Sequence, residues 1–297
     1  MSIYNPLVNK IARTAARPFS KIIPEKFKFP VMESYSIKLN DSTSIKFTCN
    51  ETSCCGKMLF WDGVKGYEYA VVSVFMEILK DVTTFFDIGA NIGYYSMVAK
   101  AMNPSLKIVA FEPMPGPQVY FEKNKVLNGF TDIKLENLAL SEQEGEMEFT
   151  SVVNPKFAHV KEQLAGDGSL FGEIGTNATF KKVQVKVDTL DSYVERNNIK
   201  IIELIKLDVE AHEDVVLKGA VNVLQNFKPI IMCEVLPGRV ETNIQNELQK
   251  YNYEFYQATD KGLVKQETIV HDNINNDYIM VHPERKQMIE KFIVANN

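Results

Sequence analysis

The chain is poor in the residues that make several function classes recognisable. Its 297 residues include 4 Cys, 4 His and 1 Trp. Cys49, Cys54, Cys55 and Cys233 form no Cys-x-x-Cys pair and have no histidine at finger spacing, which excludes a structural zinc site. Cys233 ends the apolar run Ile230-Ile231-Met232-Cys233, where a small buried hydrophobe is the default. Cys54 and Cys55 could form a local redox pair, but reduced thiols in a cytoplasmic protein are the expectation. No uncharged apolar run approaches the ~20 residues that span a bilayer. Base is not in excess either: 33 Lys+Arg stand against 38 Asp+Glu, a net charge of −5, which argues against nucleic acid as a partner. There is no Gly-Lys-Ser/Thr and no Gly-x-Gly-x-x-Gly, so a triphosphate loop and a dinucleotide fingerprint are both set aside. The opening residues lack the continuous apolar stretch of a secretory signal. The sequons Asn50-Glu51-Thr52 and Asn177-Ala178-Thr179 therefore carry little weight.

What is present is ordinary globular composition, 45% hydrophobic and 24% charged, with chain enough for one large domain or a domain with a smaller extension. The charge is unevenly spread. Residues 1–30 carry six cations and one acid, net +5, which leaves −10 for the rest. Ile3, Leu7, Val8, Ile11, Ala15, Phe19 and Ile22 recur between those cations at roughly helical spacing. Such a helix could lie peripherally on an anionic membrane. The favoured reading packs it on its own domain or on a second subunit of a homo-oligomer.

Tyr35–Leu39 and Ser44–Phe47 alternate as half-buried strands do, and Tyr67–Leu79 has helical periodicity. From Thr84 the pattern changes to apolar strands (Thr84–Ile88, Lys107–Phe111, Ile133–Asn137, Leu204–Leu207, Pro229–Glu234) alternating with helices (Tyr94–Met102, Gly116–Leu127, Glu213–Val223, Val240–Tyr251). That alternation predicts an α/β fold, a mainly parallel sheet covered on both faces. Tyr253–Gln257 and Tyr278–His282 should add an antiparallel pair on one edge. Residues 1–80 read as an N-terminal basic segment and small cap, and 81–297 as the main domain. Residues 153–182 hold Pro155, Gly166, Gly168, Gly172 and Gly175 without a sustained period, as expected of a substrate lid.

The informative motif is Asp87-Ile88-Gly89-Ala90-Asn91-Ile92-Gly93, which runs from a strand into a helix. Glycines at such a turn let backbone approach a ligand. A carboxylate two residues before the first of them would repel a pyrophosphate but suits an ammonium group. The next strand ends in Glu112, followed by Pro113, and an acid there can accept two ribose hydroxyls. A ribose and a positive amino-acid moiety without diphosphate together imply S-adenosylmethionine.

Asp87–Gly93, Phe111-Glu112-Pro113, Asn137-Leu138-Ala139-Leu140-Ser141 and Lys206-Leu207-Asp208-Val209-Glu210, followed by Glu213, resemble the FkbM family of class I S-adenosylmethionine-dependent methyltransferases. The resemblance covers about residues 80–236 and keeps the motifs in order. It implies a Rossmann-like fold with the cofactor across the carboxyl ends of the central strands. Asp87, Gly89, Asn91 and Gly93 would then form the turn at the methionine end, Glu112 would hold the ribose, and Asn137, Leu138 and Ala139 would border the adenine. The chain departs from the family's common Glu-Gly pair in having Glu210-Ala211.

Methylation of oxygen needs a base for the acceptor's proton, or a cation that acidifies it. Alternation puts Lys206, Asp208 and Glu210 on one side of their strand, with His212 just beyond. Asp208 ranks first as the catalytic residue and Glu210 second; His212 has the intrinsic pKa of a base. Glu234 could complete a polar site, and His159 could act from the lid. A divalent ion would suit these acids, although no ligand spacing compels one. The resemblance favours O-methylation of a sugar or glycan hydroxyl or of a small metabolite. N-methylation, protein methylation and a non-catalytic cofactor-binding module are the alternatives.

Overall fold

A computed structural model describes residues 6–24, 27–153, 157–164, 179–238, 240–270 and 275–295. Helix α1 (Pro6–Ala16) leads to the hairpin β1 (Tyr35–Lys38) and β2 (Ser44–Phe47). The hairpin turns Tyr35, Ile37, Ile45 and Phe47 inward and its lysines and serines outward, the two-residue period of a half-buried strand. Helix α2 (Cys54–Asp62) follows, capped by the Ser53 hydroxyl, which accepts the Gly56 N–H. Helix α3 (Tyr69–Ile78) buries Val71, Val72, Val74, Phe75 and Ile78.

Then the alternation sets in: β3 (Thr84–Ile88), α4 (Tyr94–Met102), β4 (Lys107–Phe111), α5 (Pro115–Asn128), β5 (Lys134–Glu136), β6 (Ala139–Leu140), β7 (Gly145–Val153), β8 (Thr179–Asp188), α6 (Leu190–Arg196), β9 (Leu204–Leu207), α7 (Glu213–Lys218), β10 (Ile230–Glu234), α8 (Glu241–Gln249), β11 (Glu254–Thr259), β12 (Gly262–Gln266), β13 (Asp277–Val281) and β14 (Ile293–Val294). Nine strands form one sheet in the order β14-β12-β11-β13-β10-β9-β3-β4-β5. From β10 through β9, β3 and β4 to β5 every pairing is parallel, while β13 runs antiparallel between β10 and β11. This is the Rossmann-like, mainly parallel sheet the sequence pattern predicts. The sheet goes on past the expected antiparallel pair: β12 pairs with β11 and β14 with β12. Cys49, Cys55 and Cys233 are buried and Cys54 is exposed.

Central strands bury both faces. Phe85, Ile108, Ala110, Leu204, Ile230 and Met232 join the core under α3, α4 and the β1–β2 hairpin. Phe86, Ile88, Phe111, Ile205, Leu207, Ile231 and Cys233 join the core under α6, α7 and α8. The N-terminal elements thus share one apolar core with the sheet. Helix α7 is shorter than the sequence pattern predicts, ending at Lys218, and the next residue, Gly219, packs so closely that a Cβ there would sit 2.0 Å from the Ser141 carbonyl oxygen. A second sheet, β6-β8-β7, stands beside the first. Alternating Val183, Val185 and Val187 mark β8 in the sequence, although the glycine-rich stretch before it obscures the pattern. Of the expected lid, residues 154–156 and 165–178 lie outside the described residues; 179–182 are the start of β8. No helix among the described residues is long and apolar enough to cross a membrane.

Candidate active site

The chain reverses direction across the sheet at β3, whose neighbours are β4 on one side and β9 on the other. A crevice opens outside the carboxyl ends of strands at such a switch point. Here it is a cavity of about 1170 Å³. Its floor is made by the strand ends, with Asp87 on β3 and Gly89 and Asn91 after it, Glu112 after β4, Lys206 on β9 with Asp208 after it, and Glu234 on β10. One wall is the β7–β8 hairpin (Phe149, Thr150, Lys181, Gln184) and another comes from Cys54, Met58, Tyr67 and Glu68 of the N-terminal elements.

Gly89 has φ +82°, and a Cβ there would lie 1.8 Å from the Asp208 carbonyl oxygen. The glycine is needed because the end of β9 crosses directly against the turn, with the Asp208 N–H donating to the Ile88 carbonyl. Asn91 tolerates φ +48° in the same turn, and its N–H donates to the Glu112 carboxylate at 2.9 Å. The other Glu112 oxygen accepts the Met114 N–H at 2.7 Å, so this carboxylate ties the two strand-end loops together. Burial nonetheless pushes Glu112 up to about 7, against the pull of those two N–H donors. Asp87 accepts the Ser96 hydroxyl at 2.6 Å and is pushed by burial to about 6.

Lys206 faces the same core as Asp87, its partner in the parallel register, and is 2% exposed. Burial disfavours its charge, but Asp208, Glu68, Asp277 and Glu234 more than offset that and hold its pKa above the ordinary range. Its Nζ lies 3.4 Å from Asp208 Oδ2, 3.6 Å from Glu68 Oε2 and 5.0 Å from the centre of the Tyr95 ring. Tyr95 in turn donates its hydroxyl to Glu68. Four acids around one ammonium leave excess negative charge in a poorly hydrated place. Glu234 is accordingly raised to about 9 and Asp277 to about 7, by burial first and neighbouring carboxylates second. Asp208 moves up for the same reasons, with Lys206 opposing. Oxygens of Glu68, Asp208 and Glu234 lie within 4.8 Å of one another, close enough to hold a cation.

The residues singled out from sequence are not all brought together. Asp87, Gly89, Asn91, Glu112, Leu138, Ala139, Asp208 and Glu210 line the cavity. Gly93 does not: its φ of +88° starts α4, and a Cβ would strike the Phe121 ring at 2.7 Å. Asn137 is exposed and lines a separate shallow groove with Val119 and Val126 along α5. His212 caps α7 through its carbonyl, which accepts from Val215 and Val216, and does not reach the cavity wall. The cause is the turn before it, where Glu210 at φ +58° and Ala211 at φ +69° end the strand alternation. The Glu213 carboxylate holds that turn by accepting the Val209 and Ala211 N–H groups. The positive φ of Ala211 is a conformation that glycine adopts more readily, as in the Glu-Gly pair of the family the sequence resembles. His159 faces Glu51, with Nε2 2.8 Å from Oε1. Glu68, by contrast, carries no motif; only its position after Tyr67 and its φ of +46° mark it, and that angle is invisible in sequence.

A family model described as the Methyltransferase FkbM domain matches residues 87–255. Curated relatives agree in kind. Methyltransferase 1 of Beauveria bassiana is 26% identical over 174 residues, covering 51% of this chain and 66% of that protein. Hexuronic acid methyltransferase AglP of Haloferax volcanii is 26% identical over 165 residues, covering 56% of this chain and 61% of that protein. The 31-O-demethyl-FK506 methyltransferase FkbM of Streptomyces tacrolimicus is 28% identical over 151 residues, covering 45% and 58%. The matched parts make up less than two thirds of each relative's length.

Proposed function

The chain belongs to the FkbM methyltransferase family, and on that premise we propose that it methylates a hydroxyl oxygen of a sugar, a glycan or a small metabolite with S-adenosylmethionine. The observation that carries the reading is a single cavity onto which Asp87, Glu112 and Asp208 all open from successive strand ends. The residues fit the cofactor. Asp87 would take its ammonium, Glu112 its ribose hydroxyls, and the Leu138–Ala139 backbone its base, with Gly89 and Asn91 shaping the turn between them. S-adenosylmethionine, when bound, supplies a methyl group on a positively charged sulfur. The cavity exceeds what a cofactor of that size fills, which leaves room for an acceptor beside it. Names of two relatives point to the acceptor class, a hexuronic acid in one and 31-O-demethyl-FK506 in the other.

In this reading Asp208 accepts the proton of the acceptor hydroxyl. Lys206 holds that carboxylate in place and supplies the positive charge that a divalent ion would supply among Glu68, Asp208 and Glu234. The N-terminal elements act as a cap by delivering Glu68, Tyr67 and Met58 to the cavity, and Val153, Ala158, Val160 and Gln163 line it from another side. Exclusion of water and alignment of the acceptor oxygen with the methyl carbon would supply much of the rate.

Calorimetry with S-adenosylmethionine tests the site. Asp87→Asn and Glu112→Gln should each weaken binding by roughly 10- to 100-fold, the worth of a buried hydrogen bond to a charged group. Unchanged affinity in both would sink the assignment. Untargeted transfer of labelled methyl groups to glycan and metabolite fractions tests the reaction. Binding without transfer to any fraction would instead favour a non-catalytic module.

The raised carboxylates predict a pH dependence. Asp87 at about 6 and Glu112 at about 7 are both above their ordinary values, so the unliganded folded protein holds protons that the unfolded chain releases. Its stability should be greatest below pH 4 to 5 as far as these two groups decide it, and fall as pH rises to about 7. The cofactor's ammonium requires Asp87 ionised, so affinity should fall by up to roughly tenfold per pH unit below about 6. A dissociation constant that stays flat from pH 8 to pH 5 contradicts this.

A further inference from the structure

The N-terminal segment is folded inside out. Hydrogen bonding of helical type continues past α1, through a 3₁₀ turn at Arg17–Phe19 and the Ile22 and Ile23 N–H groups, which donate to the Phe19 carbonyl. Along this path the inward side holds the buried polar groups Asn9 and Arg13 beside Ala16 and Ile23, which pack on the core. Arg13 is 1% exposed, with its guanidinium 3.1 Å from Glu33 and 4.8 Å above the Phe60 ring, and Nε and Nη1 have no partner. Arg17 lies over the same ring at 4.8 Å. The outward face is apolar. Ile11, Ala15, Phe19 and Ile22 follow one another at steps of four, four and three residues, the spacing of one helix face, and all are exposed. Ile11 is 62% exposed, Phe19 58% and Ile22 77%.

With Phe27, these make four of the eleven large hydrophobics left exposed among the described residues, gathered in the first tenth of the chain. Large exposed hydrophobics concentrated in one segment point to an interaction face. The charge beside it indicates the partner. Lys10 and Lys21 are exposed next to Ile11 and Ile22, and residues 6–24 contain no acid, whereas the whole protein is net −5. A second copy meeting this face about a two-fold axis would bring together two segments that each carry lysines and no acid. An acidic bilayer surface would not: it offers headgroup phosphates to the lysines and an acyl boundary to the isoleucines and phenylalanine. We propose that residues 6–24 dock the protein on an anionic lipid membrane, with Ile11, Phe19 and Ile22 entering the interface and Lys10 and Lys21 at headgroup level.

The test is co-sedimentation of the full chain with phosphatidylcholine vesicles, with and without phosphatidylglycerol. Binding should require phosphatidylglycerol and weaken in high salt. Ile11→Asp with Ile22→Asp, and separately Lys10→Glu with Lys21→Glu, should each cut partitioning by at least roughly tenfold. All four positions are exposed, so thermal melts should stay within a few degrees of the parent. Equal binding to both vesicle types, no binding to either, or variants that bind like the parent would overturn the proposal. A concentration-dependent dimer abolished by Ile11→Asp with Ile22→Asp, without vesicle binding, would assign the face to a second copy and overturn it as well.

Discussion

Asp208→Asn should lower methyl transfer by roughly 10²- to 10⁴-fold, the range for loss of a positioned general base, while cofactor affinity changes only a few-fold. The substitution keeps size and shape but removes the proton acceptor. The environment explains why this carboxylate is suited to the task. Burial, with Glu68 beside it, raises its proton affinity above that of a free aspartate, and Lys206 at 3.4 Å opposes that rise and keeps the ionised form accessible. A carboxylate whose proton affinity is raised in this way is a stronger base than one in water. Glu210→Gln serves as the comparison. Glu210 opens on the same cavity but sits in the left-handed turn beyond the strand. Rates are read as labelled methyl incorporated into whichever acceptor fraction the parent modifies. Should Asp208→Asn retain more than about a tenth of the activity while Glu210→Gln loses it, the base has been misassigned.

Gly89→Ala is expected to be the most damaging single-methyl change at the sheet centre. Two costs combine. Alanine is strained at φ +82°, and its Cβ would be placed 1.8 Å from the Asp208 carbonyl oxygen, which is backbone and cannot rotate away. Left-handed strain of about 1–2 kcal/mol and overpacking of about 1–3 kcal/mol suggest a loss of roughly 2–5 kcal/mol. For a chain of this size that lowers the melting temperature by roughly 4–20 °C. Gly129 provides the control. It also has positive φ, +70°, but a Cβ there meets nothing within 4 Å, so Gly129→Ala should cost only about 1 kcal/mol. Thermal unfolding of the two variants side by side separates strain from collision. Equal losses would show that the backbone crossing at Gly89 is looser than its geometry indicates. Because the carbonyl that must move belongs to Asp208, any folded Gly89→Ala protein should also be catalytically impaired.

Much of the architecture is legible in the sequence for a simple reason. A parallel strand buried on both faces must be apolar throughout, and a helix covering it must repeat near 3.6, so Thr84–Ile88, Lys107–Phe111, Leu204–Leu207 and Ile230–Glu234 declare themselves. Charged residues that interrupt such strands stand out as well. Asp87 and Lys206 are noticed because an apolar neighbourhood makes them costly, and Glu112 because it ends the next strand. The β7–β8 hairpin is harder to read, since lysines and glutamates on its outer face and a glycine-rich flank dilute a two-residue period.

Sequence by itself therefore determined the sheet, the strand-end acids and the chemistry they suit, because each is a property of a short stretch and its own solvent preference. Only the tertiary structure decided which of those residues meet. Glu68 reaches Lys206 across more than a hundred residues of chain, and no periodicity in either segment records that contact. Two positive φ angles at Glu210 and Ala211 divert His212 from the cavity, and Asn137 turns to the far side of α5. The amphipathic pattern of α1 was visible, but not which face it would bury. Placing Arg13 and Arg17 over Phe60 turned the apolar face outward, a choice set by the partner surface and not by the helix. Local patterns fix which faces are apolar; long-range packing fixes what each face is set against.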